Sequence, residues 1–177
     1  MSRSWVLPDY FHAKVLHVYV PMHRKYKKRQ GLSERQIRKR LEKQGWVVWR
    51  GGSLGLLRRD DVYPSVYRKY EKLQNLIEVY YPDMFEYLQY LCAVHHGMPD
   101  FLCYRNGEFK FIECKLENEP LSYRQKLCII CLQQLGFVVE VHKFVNHRTK
   151  LRLATIDLIN GDKFIHERQL TIRQAIA

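Results

Sequence analysis

The sequence predicts an α/β fold in which a mixed central β-sheet is flanked by helices and carries a helical insertion. Two apolar strands joined by Asn106-Gly107 predict an antiparallel hairpin, because Asn-Gly is the strongest short hairpin signal. A helix between the second of these strands and a third strand predicts a right-handed crossover with parallel pairing. Strands that pair in both directions and alternate with helices indicate a mixed sheet.

Length and composition predict one globular domain, because the chain has 177 residues of which 46% are hydrophobic. Its apolar runs are all much shorter than the roughly 20 residues that span a bilayer. The apolar start at Trp5 is cut short by Pro8, unlike a secretory signal. We therefore expect an intracellular protein, of the cytoplasm or nucleoid, without a membrane partner.

The N-terminal part alternates apolar residues over positions 15–20, which is typical of a strand, and then becomes basic. Such a stretch is usually a solvated face, but cations around Tyr26 also suit an arm that follows phosphates. The cations assigned to nucleic-acid binding there are Arg24, Lys25, Lys27, Lys28 and Arg29. With 30 Lys+Arg against 18 Asp+Glu, the net charge of +12 favours nucleic acid over the alternatives, an acidic protein or a membrane surface.

The next elements predict a helix followed by a strand. Ser33 and Gln36 have the spacing of a capping box, and the helix should end near Gly45. Residues 46–49 are apolar and, with Arg50, predict a strand, which Gly51-Gly52-Ser53 should end in a flexible turn.

Residues 63–92 predict two aromatic helices separated by Pro82. Apolar stripes such as Tyr67, Tyr70, Leu73 and Ile77 are more typical of a core or a dimer interface than of a base-stacking surface.

The second half continues with strands and one capped helix. Ser122 and Gln125 predict a capping box for a helix that ends at Gly136, and residues 137–141 return as a strand. A strand over residues 151–159, an Asn-Gly turn and a short strand over residues 163–166 should follow, and the tail is weakly helical.

The five cysteines are an odd number in segments that read as buried, so we expect reduced thiols. Cys128 and Cys131 have CxxC spacing but lack a second pair, and at most one of His95 and His96 could face them. Two apolar residues on a helix are the favoured interpretation.

The strongest chemical pattern follows Gly97-Met98-Pro99, where Asp100 begins a strand. Glu113 and Lys115 are two apart and share one face of the neighbouring strand, so the hairpin brings all three together. Two carboxylates and the Cys114 carbonyl are hard oxygen ligands for Mg²⁺ or Mn²⁺, and Lys115 could hold a nucleophilic water. The alternative is an ordinary ion pair.

This pattern resembles the PD-(D/E)xK nuclease superfamily and, within it, the VRR-NUC (virus-type replication-repair nuclease) domain, whose core combines GxPD, an ExK strand and a helix bearing Gln. The resemblance implies a restriction-endonuclease-like core in which Asp100 and Glu113 bind metal and Lys115 is catalytic. It assigns Gln125 to support of the site, although Gln125 is also explained by the capping box.

Weaker assignments come from the same resemblance. Such nucleases carry an acid on the first helix, and the resemblance assigns this role to Glu34. A carboxylate at that position is also explained by its favourable interaction with the helix dipole. Archaeal Holliday junction resolvases have a serine loop after the first strand, which implies Ser53, and we assign Arg50 beside it to nucleic acid. Asp60 and Asp61 are possible metal-site acids, but a polar loop suits them better.

The predicted layout is one nuclease domain over residues 1–177. It comprises a basic arm over residues 1–32, a core over 33–53 and 95–145, a helical insertion over 54–94, and a C-terminal extension over 146–177. The resemblance implies a Mg²⁺-dependent endonuclease, with Mn²⁺ as a substitute, that cuts branched DNA such as a Holliday junction as a homodimer. Alternatives are a repair or restriction-type nuclease on flap or linear DNA, a non-catalytic nucleic-acid-binding module, or a basic structural or ribonucleoprotein component.

Overall fold

The computed structural model of the chain describes residues 14–22, 31–58 and 61–166. These residues form seven strands, four α-helices and one 3₁₀ helix. The strands are Lys14–Pro21 (β1), Val47–Arg50 (β2), Phe101–Arg105 (β3), Glu108–Leu116 (β4), Val138–Val145 (β5), Arg152–Asp157 (β6) and Lys163–His166 (β7). The helices are Leu32–Lys43 (α1), Pro64–Tyr80 (α2), Met84–His95 (α3) and Tyr123–Gln134 (α4), with a 3₁₀ helix over Gly51–Arg58.

The strands form one seven-stranded mixed sheet in the order β2-β3-β4-β5-β1-β6-β7, which confirms the predicted fold class. β5 pairs in parallel with both β4 and β1, and the other neighbours are antiparallel. β1 therefore lies inside the sheet although it falls in the segment that was assigned to an arm. The basic residues at positions 24–29, Asp60 and the tail after His166 lie outside the described residues.

The β3-β4 hairpin has the predicted turn. Asn106 (φ 50°) and Gly107 (φ 86°) both adopt left-handed backbone conformations, as a two-residue hairpin turn of this type requires. The register pairs Phe101 with Ile112 and Leu102 with Phe111.

Helices cover both faces of the sheet. On one face, Ile37 and Leu41 of α1 pack on Ile112 and Cys114 of β4. On the other, α2, α3 and α4 form the larger core around Phe109, Phe111 and their neighbours. Side chains alternate between faces along a strand, so Glu113 and Lys115 lie on the face that α4 covers.

The two helices of the insertion contribute to this core. Tyr70, Leu73 and Ile77 of α2 are buried, as are Phe85, Leu88 and Leu91 of α3. Tyr67 shares the predicted stripe but is 40% exposed, so the stripe is narrower than its sequence suggests. In the part of the chain that the structure describes, no helix is long and apolar enough to cross a membrane.

Two local predictions were wrong. α1 begins at Leu32, and its N-cap residue is Gly31 (φ 68°), which has no side chain that could cap the helix. Ser33 lies inside the first turn, so it does not form the expected capping box with Gln36.

The expected flexible turn at Gly51-Gly52-Ser53 is instead the start of the 3₁₀ helix. The physical reason is close packing. A Cβ on Gly51 would collide with the Pro99 carbonyl, and the Gly51 N–H donates to the Asp100 carbonyl at 2.9 Å.

Candidate active site

A cavity of about 340 Å³ opens at the C-terminal end of β4, beside the first turns of α1 and α4. Its lining is mainly polar and draws on α1, β4, α4, the residue before β3 and the loop after β4. The lining residues are Gly31, Leu32, Ser33, Glu34, Asp100, Glu113, Cys114, Lys115, Leu116, Glu119 and Gln125.

Asp100 reaches this cavity because the hairpin register places it opposite Glu113, one position before the Phe101–Ile112 pair. Its Oδ2 accepts a hydrogen bond from the Cys114 N–H at 2.8 Å. Burial raises the pKa of Asp100, and nearby Glu34 adds to this, although the Cys114 N–H opposes it. The carboxylate is thus held in one orientation across the two strands.

The loop before Asp100 is held from the other side by Gly97. A Cβ on Gly97 would lie 2.8 Å from the Gln125 backbone nitrogen and closer still to the Arg124 carbonyl. Only glycine permits this approach between the loop and the start of α4. The Gly97 position therefore brings Asp100 and the α4 residues to the same cavity.

Glu113 is a buried carboxylate, with 2% of its surface exposed. Its Oε1 lies 3.0 Å from Lys115 Nζ and accepts a hydrogen bond from Gln125 Nε2. Burial and then the charge of Asp100 raise its pKa to about 7, despite the opposing effect of Lys115. Two carboxylates are therefore held close together with only part of their charge compensated.

Lys115 is also buried, and it contacts two acids. Its Nζ lies 3.0 Å from Glu113 Oε1 and 3.3 Å from Glu119 Oε1. Burial is the largest single influence and lowers its pKa, but Glu113 and Glu119 together outweigh it, so the pKa is raised. Lys115 therefore stays protonated at neutral pH.

Gln125 makes both of the contacts that the sequence left open. Its Oε1 accepts from the Ser122 N–H at 2.9 Å, and its N–H donates to Ser122 Oγ at 3.2 Å, which completes the predicted capping box. The side-chain nitrogen of Gln125, Nε2, donates a hydrogen bond to Oε1 of Glu113. One side chain thus caps α4 and orients a buried carboxylate.

Comparison with protein families gives a match to the VRR-NUC domain over residues 28–145, about two thirds of the chain. This chain belongs to the VRR-NUC domain family. It is therefore a nuclease domain of the PD-(D/E)xK-like kind, a hydrolase that acts on DNA, and its seven-stranded mixed sheet is consistent with the restriction-endonuclease-like fold. A search of curated proteins finds no match.

Nuclease domains of the VRR-NUC kind generally use divalent metals, and the donors in the cavity suit such an ion. Asp100, Glu113 and the Cys114 carbonyl offer hard oxygen atoms, which Mg²⁺ and Mn²⁺ prefer. Among the described residues, no three His, Cys, Asp or Glu side chains are grouped to hold a metal. Mg²⁺ usually keeps several waters and is bound through one or two carboxylates, which is the number of carboxylates that Asp100 and Glu113 provide.

Glu34, the acid expected on the first helix, lines the VRR-NUC cavity and adds to the raised pKa of Asp100. Its Oε2 lies 3.9 Å from Nη2 of Arg50, an exposed contact at the limit of an ion pair. Such pairs contribute little to stability. Glu34 is therefore within electrostatic reach of the site, whereas Arg50 contacts Glu34 without lining the cavity.

Glu119 is a cavity residue that the sequence reasoning missed. It binds Lys115 Nζ with Oε1 and accepts from the Leu116 N–H with Oε2 at 3.1 Å. An acid four residues after the ExK lysine was the available signal. That spacing predicts a contact only where the chain turns back after the strand, which a loop sequence does not reveal.

The other candidates lie elsewhere. Ser53 and Asp61 are not among the described residues that line the cavity. Cys128 and Cys131 are buried in the core as free thiols, as favoured from the sequence. His96 ends α3 in a left-handed conformation.

Proposed function

We propose that this chain is a Mg²⁺-dependent, structure-specific endonuclease that hydrolyses phosphodiester bonds in branched DNA, Holliday junctions above all, with Mn²⁺ as a substitute. The observation that supports it most is the meeting of Asp100, Glu113 and Lys115 in one polar cavity at the end of β4. Two hard acids and a protonated lysine on adjacent strands are the groups that metal-assisted phosphodiester hydrolysis needs.

Asp100, Glu113 and the Cys114 carbonyl would hold the ion. When bound, Mg²⁺ supplies Lewis-acid polarisation of the scissile phosphate and neutralises developing negative charge. The raised pKa values of both carboxylates support this role, because buried acids held close together are stabilised by a cation.

Lys115 would act on the phosphate or on the attacking water. An ammonium group has three N–H donors, and Glu113 and Glu119 accept two of them. The third is left for a substrate oxygen or for the water that attacks phosphorus. The anchored ammonium can thus stabilise charge on the phosphate without the cost of ordering a flexible side chain.

Gln125 and Glu34 take supporting roles in this proposal. Gln125 would keep Glu113 in its ligand orientation through the capped start of α4. Glu34 would add negative potential across the cavity from Asp100 and could accept a hydrogen bond from a water on the ion.

The proposals of a branched DNA substrate and of a homodimer rest on the likeness to junction-cutting nucleases. Both would place the protein in DNA recombination or repair. Two identical sites related by a two-fold axis suit the two-fold symmetry of a Holliday junction. We retain the single-domain layout, with the nuclease core over residues 33–53 and 95–145, as part of the proposal. The basic residues at positions 24–29, with Arg50 and Ser53, would contact DNA outside the cavity.

The test compares full-length variants on a labelled four-way junction with Mg²⁺. Asp100→Ala and Lys115→Ala should reduce cleavage to background while junction binding survives. Lys72→Ala, an exposed lysine on α2, is the matched control and should cut normally. Undiminished cutting by both site variants would refute the mechanism.

The same assay with flap, single-stranded and linear substrates tests the branched-DNA part. Cleavage of linear duplex at the junction rate would favour a repair or restriction-type nuclease instead. Binding without cleavage of any substrate, with either metal, would favour a non-catalytic binding module.

A further inference from the structure

Four residues on four neighbouring strands lie in one row across the sheet. Lys115 on β4 pairs with Lys143 on β5, Lys143 pairs with Tyr19 on β1, and Tyr19 pairs with Arg152 on β6. Directly paired residues point to the same face of a sheet, so all four share the face of the candidate active site. We call these residues, together with Lys163 of β7, the basic row.

Lys163 joins the basic row through the Tyr19 ring. Arg152 Cζ lies 4.7 Å and Lys163 Nζ 4.6 Å from the centre of that ring, and Tyr19 itself is 6% exposed. Lys163 is exposed, and Lys143 and Arg152 are half-buried. The tyrosine is therefore covered by cations and offers no free ring for base stacking.

Three cations of the row, Lys143, Arg152 and Lys163, lie close to each other, and unlike Lys115 they have no carboxylate partner within ion-pair distance among the described residues. Among the described residues, Lys143, Arg152 and Lys163 form no ion pair, and Lys143 Nζ donates only a long hydrogen bond, 3.4 Å, to the Glu117 carbonyl. Burial, then Lys163, and to a smaller extent Lys115 lower the pKa of Lys143, and Glu119 and Glu117 offset part of this shift. Like charges held together cost free energy unless an anion binds them.

The position and length of the row suit a DNA backbone. Neighbouring strands are about 4.8 Å apart, so the three steps from Lys115 to Arg152 cover about 14 Å. With about 3.4 Å of axial rise per nucleotide, this corresponds to about four nucleotides of one strand. The described helices pack on the part of the sheet from β2 to β5. None of these helices packs on β6 or β7, where Arg152 and Lys163 lie.

We propose that the basic row binds the backbone of the duplex arm next to the scissile phosphate, with Lys143, Arg152 and Lys163 contacting successive phosphates. The inference rests on the proposed nuclease function, because Lys115 joins the row to the candidate active site. Duplex is favoured over single-stranded DNA because single-strand grooves combine cations with exposed aromatic rings, and Tyr19 is covered. The row shares no residue with the basic stretch at positions 24–29, and it does not include Arg50 or Ser53.

The experiment measures binding of the full chain to a labelled linear duplex by fluorescence anisotropy, in EDTA so that cleavage cannot occur. The row variant carries Lys143→Gln, Arg152→Gln and Lys163→Gln, which keep much of the side-chain length over Tyr19. The matched control carries Lys39→Gln, Arg68→Gln and Lys72→Gln on α1 and α2, exposed residues with the same total change in charge. Circular dichroism and thermal melting verify folding.

The salt dependence distinguishes phosphate contacts from a general loss of charge. Loss of three contacts should make the slope of log K against log[KCl] shallower by about 2.7. Wild type should then lose about 40-fold more affinity than the row variant between about 50 and about 200 mM KCl. The control should keep the wild-type slope. Because Lys163 is exposed, Lys163→Gln alone should fold and reduce the slope by about 0.9.

An unchanged slope for both the row variant and Lys163→Gln would overturn the inference, as would an equal change in the control. A change seen only with single-stranded DNA would overturn the assignment to duplex. These outcomes are separate from the failure of the proposed function, which would be wild-type binding with no Mg²⁺- or Mn²⁺-dependent cleavage. In that case an altered slope would still support the row as a DNA-binding surface.

Discussion

Gln125 donates a hydrogen bond from Nε2 to Oε1 of the buried Glu113, and its own Oε1 accepts the Ser122 N–H at 2.9 Å. The orientation of a proposed metal ligand therefore depends on how α4 begins. An amide held at one end by a capping box has few alternative rotamers, so it presents its N–H to Glu113 without further ordering.

Gln125→Ala should lower the cleavage rate at saturating DNA by on the order of tenfold or more, with little change in KM, because Glu113 loses its orienting donor. Ser122→Ala is the matched control, since it removes the cap and should cost about 1 kcal/mol of stability while leaving Gln125 in place. Single-turnover kinetics and thermal melting measure the two effects. Equal rates in both variants would mean that Gln125 acts through helix stability alone.

Gly97→Ala should destabilise the protein by about 2 kcal/mol and reduce cleavage, because the added Cβ would collide with the α4 backbone at Arg124. The control is Gly55→Ala, since a Cβ there has no neighbour within 4 Å among the described residues. Urea denaturation of both variants measures the difference. A Gly97 variant as stable as the Gly55 variant would contradict the close approach.

Glu119→Ala should reduce the cleavage rate at saturating DNA several-fold and leave stability almost unchanged. The reason is that Lys115 loses one of its two carboxylate contacts, while the Glu119 side chain is itself 48% exposed. Glu117→Ala, two residues away in the same loop, controls for the change in charge. Equal cleavage rates for Glu119→Ala and Glu117→Ala would contradict this role of Glu119. So would a Glu119→Asp variant that cuts no faster than Glu119→Ala.

Glu140 should make the protein sensitive to acid. Burial raises its pKa, but its contacts with His142 (2.8 Å) and Lys110 (3.1 Å) outweigh this and lower the pKa to about 2. A carboxylate with a lowered pKa stabilises the fold above its unfolded value of about 4.5, and this contribution disappears as the pH falls towards about 2. The difference corresponds to about 3 kcal/mol.

Glu140→Gln should therefore lower stability at neutral pH and flatten its decline between about pH 4.5 and about pH 2. Burial also lowers the pKa of His142, so His142 reduces the stability of the fold as the pH falls below about 6.5. The part of the decline in stability that is due to His142 should remain in this variant. Urea denaturation across this pH range is the measurement. Glu71→Gln, an exposed acid on α2, should keep the wild-type profile; identical profiles for the two variants would rule out the effect.

Mg²⁺ should raise the melting temperature of wild type, because an ion that binds only the folded state stabilises it by about 1.4 kcal/mol at ten times its Kd. Asp100→Asn should remove this shift, and Lys72→Ala should retain it. Differential scanning fluorimetry with Mg²⁺ and with EDTA measures both. A shift of equal size in the Asp100 variant would place the ion elsewhere.

Local sequence signals predicted those parts of the site that depend on neighbouring residues. Asn106-Gly107 determined the hairpin, Ser122 with Gln125 determined the start of α4, and the two-residue spacing of Glu113 and Lys115 placed both on one face. Such signals are reliable because turn geometry, capping and strand alternation involve contacts within a few positions along the chain.

Only the tertiary structure decided the contacts between distant segments. It placed β1 inside the sheet, began α1 at Leu32 rather than at a Ser33 cap, and used Gly51 for close packing instead of a flexible turn. It also brought Glu119 to Lys115.

The same holds for the basic row, whose members are spread over residues 19–163 and meet through strand register. The asparagine-glycine turn and the spacing of the ExK residues follow from the local sequence alone. Which cations share a face with Lys115 depends on how four strands align, and that alignment is set by the packing of the whole sheet.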